Sequence, residues 1–240
     1  SYAVRPRHEI ARVSELLQSQ LLQPINITPI QPRLAESNQF LINASGPRDI
    51  SFNEFNPIFN RNRIAVQGSG LAGGNDTYGG EGVVSGIYNK LSLSAGYTYF
   101  DTDGWRQNAD QTDKIANVFG QFQLSYKTSL QAEYRYRDND RGDVQLTFFE
   151  DDILPNLDKE DETHTARLGF KHAFSPGSVL IANFQYADAD RDDLDSDPPI
   201  FTRQDVEADE EAYIGEFQHL LRANWINLVT VAGRIRLKRE

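Results

Sequence analysis

The feature that most constrains this chain is a unit repeated from Arg63 to the C-terminus, about ten residues of alternating apolar and polar character followed by a turn. Residues 91–99, with the sequence LSLSAGYTY, show the unit most clearly. A period of two over such a length predicts a β-strand with one apolar and one polar face. The chain is therefore predicted to be all-β, with strands following one another up and down a sheet.

The turns between the predicted strands alternate in length. Tight connections are predicted at Asn89-Lys90, Lys127-Thr128, 175–178 and 222–224, and long connections separate them. Short turns at one edge and long loops at the other are typical of an antiparallel outer-membrane β-barrel. The nine predicted strands lie near 63–73, 79–89, 91–101, 114–126, 129–140, 164–174, 178–188, 212–222 and 226–238. Bacterial single-chain barrels have even strand numbers, so we expect further strands beyond residue 240.

The polar face of the predicted strands carries charges and the apolar face carries none near mid-strand. In the fifth strand Leu130 and Tyr134 share one face, whereas Glu133 and Arg135 share the other. A charge facing lipid at mid-bilayer would cost about 2–4 kcal/mol, whereas a wet lumen tolerates it. Tyrosine, phenylalanine and tryptophan also collect near both strand ends, as in interfacial belts. The predicted lumen-lining charges are Glu133, Arg135, Arg137, Arg167, Lys171 and Glu216. They would either set the electrostatics of the lumen or form a cross-strand salt ladder that stiffens the wall without selecting a solute.

Composition excludes several classes of protein. The chain contains no cysteine, which excludes disulfide frameworks and thiolate metal sites. Its net charge is -11, and about 25 of its 35 acidic residues lie in 101–113, 138–163 and 188–211. Such a surface repels nucleic acid, because nucleic-acid binding depends on basic residues at phosphates. The absence of methionine leads us to expect a processed chain or a fragment, with any export signal upstream.

The first 60 residues differ from the repeats. Apolar residues at three- and four-residue spacing predict a periplasmic helix over 1–22, and Pro24 ends the pattern. Residues 23–60 are predicted to form an extended, proline-containing linker with an aromatic anchor around Phe52–Phe59 at the barrel rim. Residues 61–240 are predicted to form the barrel segment.

Three segments carry a family resemblance: RPRHE leading into ELLQSQLLQP at 5–24, FNEFNP at 52–57, and LQAEYRYR at 130–137. Together they resemble the barrel portion of large bacterial outer-membrane proteins that carry periplasmic tetratricopeptide repeats ahead of the barrel. The resemblance covers essentially the whole chain. It implies an outer-membrane location and a barrel wider than nine strands, and it implies no defined substrate.

Candidate metal ligands lie in one acidic run. Asp188, Asp190 and Asp192 open with the spacing of a calcium-binding EF-hand loop. Glycine is missing at the sixth loop position and Pro199 occupies the twelfth, so an EF-hand is excluded. Looser binding of Ca²⁺ or Mg²⁺, such as ions bridging lipopolysaccharide phosphates, remains a hypothesis beside plain solvation. No other cofactor is predicted.

The remaining polar residues do not predict an active site. His172 and His219 share the parity of the lipid face near the tight turns, which favours an interfacial position over metal binding. The chain contains no zinc-protease, Walker or serine-hydrolase motif. No carboxylate has surroundings in the sequence that predict the raised pKa of a general acid, so the chain is predicted not to be an enzyme.

Three functions therefore remain open. The first is passage or export of a hydrophilic solute or polymer through the lumen, with acidic loops at the mouth favouring cations. The second is a non-transporting membrane anchor or surface-binding platform, with periplasmic protein partners. The third is a soluble extracellular β-sandwich. For the first two, the expected surroundings are outer-membrane lipid and lipopolysaccharide in the cell outer membrane.

Overall fold

The computed structural model describes residues 30–32, 42–43, 46–47, 55–57, 62–144, 153–195, 204–223 and 225–239. Their regular structure is β-strand. Among these residues, no helix has the length and apolar character needed to cross a membrane. The thirteen strands are β1 (Ile30–Pro32), β2 (Ile42–Asn43), β3 (Gly46–Pro47), β4 (Phe55–Pro57), β5 (Arg63–Ala72), β6 (Tyr78–Tyr88), β7 (Leu91–Thr102), β8 (Gln111–Ser125), β9 (Thr128–Arg141), β10 (Leu157–Ser175), β11 (Ser178–Asp195), β12 (Gln204–Ala223) and β13 (Ile226–Arg239).

Strands β5 to β13 form one nine-stranded sheet in which each strand pairs only with its neighbours in the chain. All eight pairings are antiparallel. This up-and-down topology confirms the predicted fold class and all nine predicted strands. The up-and-down sheet is barrel-like. It is not closed, because within the described residues the edge strands β5 and β13 do not pair with each other.

Two small sheets precede the large one. Strand β1 pairs with β4, and β2 pairs with β3. Strand β1 also contacts β6 and β7, so part of the predicted linker lies against the wall of the large sheet. The predicted helix at 1–22 lies outside the described residues.

The tight turns step regularly along the sheet. Leu91 pairs with Phe122, and β8 runs three residues further, to Ser125, before it turns. The next tight turns advance by three residues and then by two. Each tight turn is therefore shifted by about 9 Å along the strand direction relative to the previous tight turn. The two turns are separated by about 10 Å across the sheet, the width of two strands. That stagger corresponds to strands tilted by roughly 45°, the tilt that barrel walls require.

The polarity of the sheet is inverted relative to a soluble protein. On one face, polar side chains such as Asn117, Gln121 and Arg167 are buried. On the other, Val118 is 54% exposed and Leu168 is 57% exposed. We call the polar side the inner face and the apolar side the outer face. The inner face also buries apolar side chains, which the alternation did not predict: Val83, Ile87, Phe100, Ile115, Phe119, Ile181 and Ile214.

Strand β13 departs from this pattern. Its pairing with β12 places Arg234, Arg236 and Lys238 on the outer face, because they lie opposite Gly215, Tyr213 and Glu211. Ile235 and Leu237, which alternate with these cations, face inward. The outer face is therefore apolar along its lower part and cationic at the far end of β13.

Candidate functional site: the polar inner face

The structure places all six predicted lumen-lining residues on the inner face. Side chains directly opposite in an antiparallel pair point to the same side of a sheet. Glu133 lies opposite Arg167, Arg135 opposite Thr165, and Glu216 opposite Asn183. The other two predicted residues, Arg137 and Lys171, have the same parity on β9 and β10.

The centre of the inner face is an ion pair between β9 and β10. Arg167 Nη2 contacts Glu133 Oε2, and both side chains are almost fully buried, at 1% and 2% exposure. Asn117 on β8 donates from Nδ2 to Glu133 Oε1 at 2.7 Å. Burying two charges is costly, and mutual attraction together with further hydrogen bonds offsets that cost. Three consecutive strands therefore share one buried polar contact.

Further polar pairs continue this contact along β8 and β9. Arg137 Nε lies 3.1 Å from Asp113 Oδ1. Gln121 Nε2 donates to Gln131 Oε1 at 3.1 Å. Asp113, Asn117, Gln121 and Gln131 were not among the predicted site residues, whereas Arg137 was. The alternation of β8 places its three partners on the polar face, and that signal could have identified them once the strand register was known.

Toward β12 the inner face is less tightly paired. Within the described part of the chain, Lys171 makes no hydrogen bond or ion pair. Glu216 accepts a hydrogen bond from Gln218 Nε2 on its own strand. The inner face thus combines a buried, charge-paired centre on β8–β10 with more open polar groups toward β12.

The β7–β8 and β9–β10 connections pack together at the end of the sheet opposite the tight turns. Asn108 Nδ2 donates to the carbonyl oxygens of Leu154 at 2.7 Å and Leu157 at 2.8 Å. Asp143, which is 2% exposed, accepts from the Leu154 amide at 3.0 Å and lies 3.1 Å from Arg106. We call these residues the loop cluster. It lies at the rim of the inner face.

Parts of the acidic segments at this end, which were predicted to be loops, are strands. Strand β10 begins at Leu157, β11 extends to Asp195 and β12 begins at Gln204. Their inner-face charges are paired, as in Arg141–Asp161 at 2.7 Å and Lys159–Asp193 at 2.9 Å. These contacts hold the strands together well beyond the predicted ends.

The outer face of the same extensions is acidic. Glu162 lies directly opposite both Asp138 and Asp190, and Glu160 lies opposite Asp140 and Asp192. Burial and then the neighbouring carboxylates raise the pKa of Glu160, Asp140 and Asp190. These carboxylates therefore point away from the inner face.

The predicted metal ligands Asp188, Asp190 and Asp192 occupy alternate positions along β11, on its outer face. Among the described residues, no group of three or more histidine, aspartate or glutamate side chains has an arrangement that could hold a metal ion. Binding of Ca²⁺ or Mg²⁺ there stays a prediction.

Three histidines lie on the outer face and are hydrogen-bonded. His172 Nδ1 lies 2.9 Å from Thr128 Oγ1, and His219 Nε2 lies 2.8 Å from Ser178 Oγ. Both rings contact Phe174 near the tight turns. His164 lies near the opposite end, 2.7 Å from the Tyr134 hydroxyl. His8 lies outside the described residues. The first two positions agree with the predicted interfacial placement.

Comparison with known proteins shows likeness at the level of fold. No family model and no curated protein matches the chain. One solved structure that matches is FpvA of P. aeruginosa, determined in a complex with a heterologous pyoverdine and iron. The match has a TM-score of 0.51 and 16% sequence identity, and it covers 74% of this chain. The chain spans 28% of the length of FpvA, which is an outer-membrane receptor.

Proposed function

We propose that this chain forms part of the wall of an outer-membrane β-barrel through which a hydrophilic solute or polymer passes or is exported. The observation that carries the proposal is the inverted polarity of the sheet. Leu168 and Phe184 are exposed on the outer face, while Arg167 and Glu133 are buried on the inner face. Water does not favour that arrangement, whereas hydrocarbon outside and polar contents inside do.

Three further observations support membrane placement. The stagger of the tight turns gives the strand tilt of a barrel wall. Aromatic side chains at or next to the tight turns are exposed, as expected of an interfacial belt: Tyr88, Tyr126, Phe174 and Trp225. The described fold is similar to part of an outer-membrane receptor.

The exposed apolar outer face argues against a soluble β-sandwich. A sandwich buries the apolar faces of two sheets against each other. Here Val118, Leu168 and Phe217 are each more than half exposed on the outer face. Detergent dependence tests this step. We expect the natural full-length protein to require detergent and to show heat-modifiable gel mobility, and full solubility in buffer would contradict the proposal.

The inner-face charges indicate weak ion selectivity. Glu133 with Arg167, and Asp113 with Arg137, neutralise each other in pairs. On the acidic strand extensions, Glu160, Glu162 and Asp190 point outward. The inward carboxylates Asp161 and Asp193 pair with Arg141 and Lys159, so these segments do not act as acidic loops at a mouth would. We therefore propose a polar, weakly selective lumen in place of the cation preference expected from the acid-rich sequence.

Planar-bilayer recordings of the natural full-length protein test passage directly. We expect a conductance, and the inner-face variant Lys171→Glu should shift the reversal potential in a salt gradient toward cation preference. Lys114→Glu is the matched control, because Lys114 lies on the outer face beside Asp138. Equal shifts in both variants would contradict a lumen bounded by the inner face.

A second candidate function is a non-transporting anchor or surface-binding platform. The specific observation in its favour is the near-complete burial of Arg167, Asn117 and Gln121 on the inner face, which indicates a filled interior at that level. The loop cluster would supply an ordered surface. Membrane insertion without any conductance in the recordings above would select this function over passage.

A further inference from the structure

The cations of β13 stand out among the charges of the outer face. Arg234, Arg236 and Lys238 occupy alternate positions at the end away from the tight turns. Lys238 Nζ lies 2.7 Å from Glu211 Oε2. Within the described part of the chain, Arg234 and Arg236 make no hydrogen bond or ion pair. These two guanidinium groups, next to the Lys238–Glu211 pair on the outer face, are therefore available to an anion.

A cavity of about 390 Å³ adjoins these two arginines on the outer face. Phe184, Tyr213 and Gly215 line it together with Arg234, Arg236 and Lys238. A Cβ added at Gly215 would meet no atom within 4 Å. The cavity therefore exists because the residue between the aromatic rings and the arginines has no side chain.

A second, apolar cavity of about 490 Å³ begins at the same phenylalanine. Phe184 lines both cavities. Small residues, Ala132 and Ala182, leave space between larger apolar side chains. The large residues that bound this cavity are Phe122, Leu130, Leu168, Phe170 and Phe217. The outer face thus presents a cationic cradle joined to an apolar groove.

The height of this pair of cavities matches one leaflet of a bilayer. Arg234 follows Trp225 in the tight turn by nine residues. A tilted strand crosses the hydrocarbon in about 9–11 residues, so Arg234 and Arg236 lie at the interface on the loop side. The apolar groove, nearer the tight turns, lies within the hydrocarbon. The loop side of an outer-membrane barrel is extracellular.

We propose that these cavities form a binding site for a phosphorylated lipid of the outer leaflet. Arg234 and Arg236 hold the phosphate, because guanidinium groups bind phosphate through paired, charge-assisted hydrogen bonds. An acyl chain passes Phe184 and lies in the apolar groove. Lipid A and glycerophospholipids share this chemistry. The site depends on the membrane placement proposed above and not on passage through the lumen.

Lipid retention by the natural full-length protein tests the site. After delipidation in detergent, native mass spectrometry counts bound lipid during titration with bisphosphorylated lipid A or with phosphatidylglycerol. Inorganic phosphate is the competitor. The site variants are Arg234→Gln with Arg236→Gln, and Gly215→Val. We expect each to weaken retention about tenfold or more.

Matched controls separate the site from general effects. Lys90→Gln with Lys127→Gln removes the same charge at the tight turns. Gly82→Val adds the same side chain to the outer face of β6, where an added Cβ also meets no atom within 4 Å. Both controls should retain lipid as the natural protein does. Heat-modifiable mobility checks that every variant is folded, and the arginine variant decides the outcome if Gly215→Val does not fold.

The outcomes are distinct. Loss of retention in the site variants alone supports the proposal, and stronger retention of lipid A than of phosphatidylglycerol identifies lipopolysaccharide as the source of the phosphate. Equal retention of both lipids identifies a general phospholipid site. Unchanged retention in the arginine variant would overturn the proposal. Displacement of the lipid by equimolar inorganic phosphate would also overturn it, because the apolar groove would then contribute nothing.

Discussion

Removing the charge of Glu133 tests whether the ion pair at the centre of the inner face is shielded from bulk water. Glu133 and Arg167 form an ion pair with almost no exposed surface. Removing one partner of a buried pair leaves an uncompensated charge and typically costs about 3–5 kcal/mol. We therefore expect Glu133→Gln to lower the free energy of unfolding by about that amount. Urea titration in detergent micelles, with heat-modifiable mobility as the readout, measures the change.

Asp138→Asn provides the matched control for this variant. Asp138 pairs with Lys114 at 2.9 Å, where the lysine side chain is 42% exposed. Exposed pairs contribute at most about 1 kcal/mol, so this substitution should have a small effect. Replacing both buried partners, by Glu133→Leu with Arg167→Met, should restore most of the stability because no buried charge remains. Equal effects of Glu133→Gln and Asp138→Asn would refute the reasoning and show that water reaches the Glu133–Arg167 pair.

Three further predictions concern other parts of the wall. Leu168→Arg on the outer face should destabilise the protein by about 2–4 kcal/mol in lipid bilayers, whereas Asn183→Arg on the inner face should be tolerated; folding yield in liposomes measures both. Gly104→Ala should disorder the loop cluster, because Gly104 has a φ of 76° and an added Cβ would lie 2.0 Å from the Ala109 carbonyl oxygen. Proteolysis of the loops in an otherwise folded protein measures this effect. The raised pKa of Glu160, from burial and then from neighbouring carboxylates, means that its folded form binds protons more tightly than its unfolded form. Stability should therefore rise as the pH falls from neutral toward the ordinary carboxyl range, and Glu160→Gln should reduce that rise; a melting temperature independent of pH would contradict the assignment.

The sequence predicted the lower half of the wall well because two independent signals agree there. Tight turns set the strand ends, and alternation sets the faces, so β9 was predicted at 129–140 and is found at Thr128–Arg141. The upper ends of β10 to β12 were underestimated. Aspartate has low strand propensity, and its abundance after Tyr186 indicated a loop. Cross-strand pairs such as Lys159–Asp193 stabilise strands there, and they become visible only once the register is known.

The polar inner face was predicted only in part, because its cross-strand contacts also depend on the strand register. Parity alone identified Glu133 and Arg167 as inward-facing, but their pairing depends on the β9–β10 register. The cationic cradle could not be predicted at all. It requires Gly215 to lie between Phe184 and Arg234, and these residues come from three strands.

The unequal lengths of the strands make the barrel segment taller on one side. Strand β6 has 11 residues, whereas β12 has 20. Nine extra residues correspond to about 30 Å along a strand, or about 20 Å of height at the tilt described above. In the proposed placement the β12 side rises through the sugar layer of the outer leaflet, while the β6 side ends close to the lipid head groups. For the proposed passage, a large molecule that diffuses along the cell surface would meet a lower wall on the β6 side than on the β12 side.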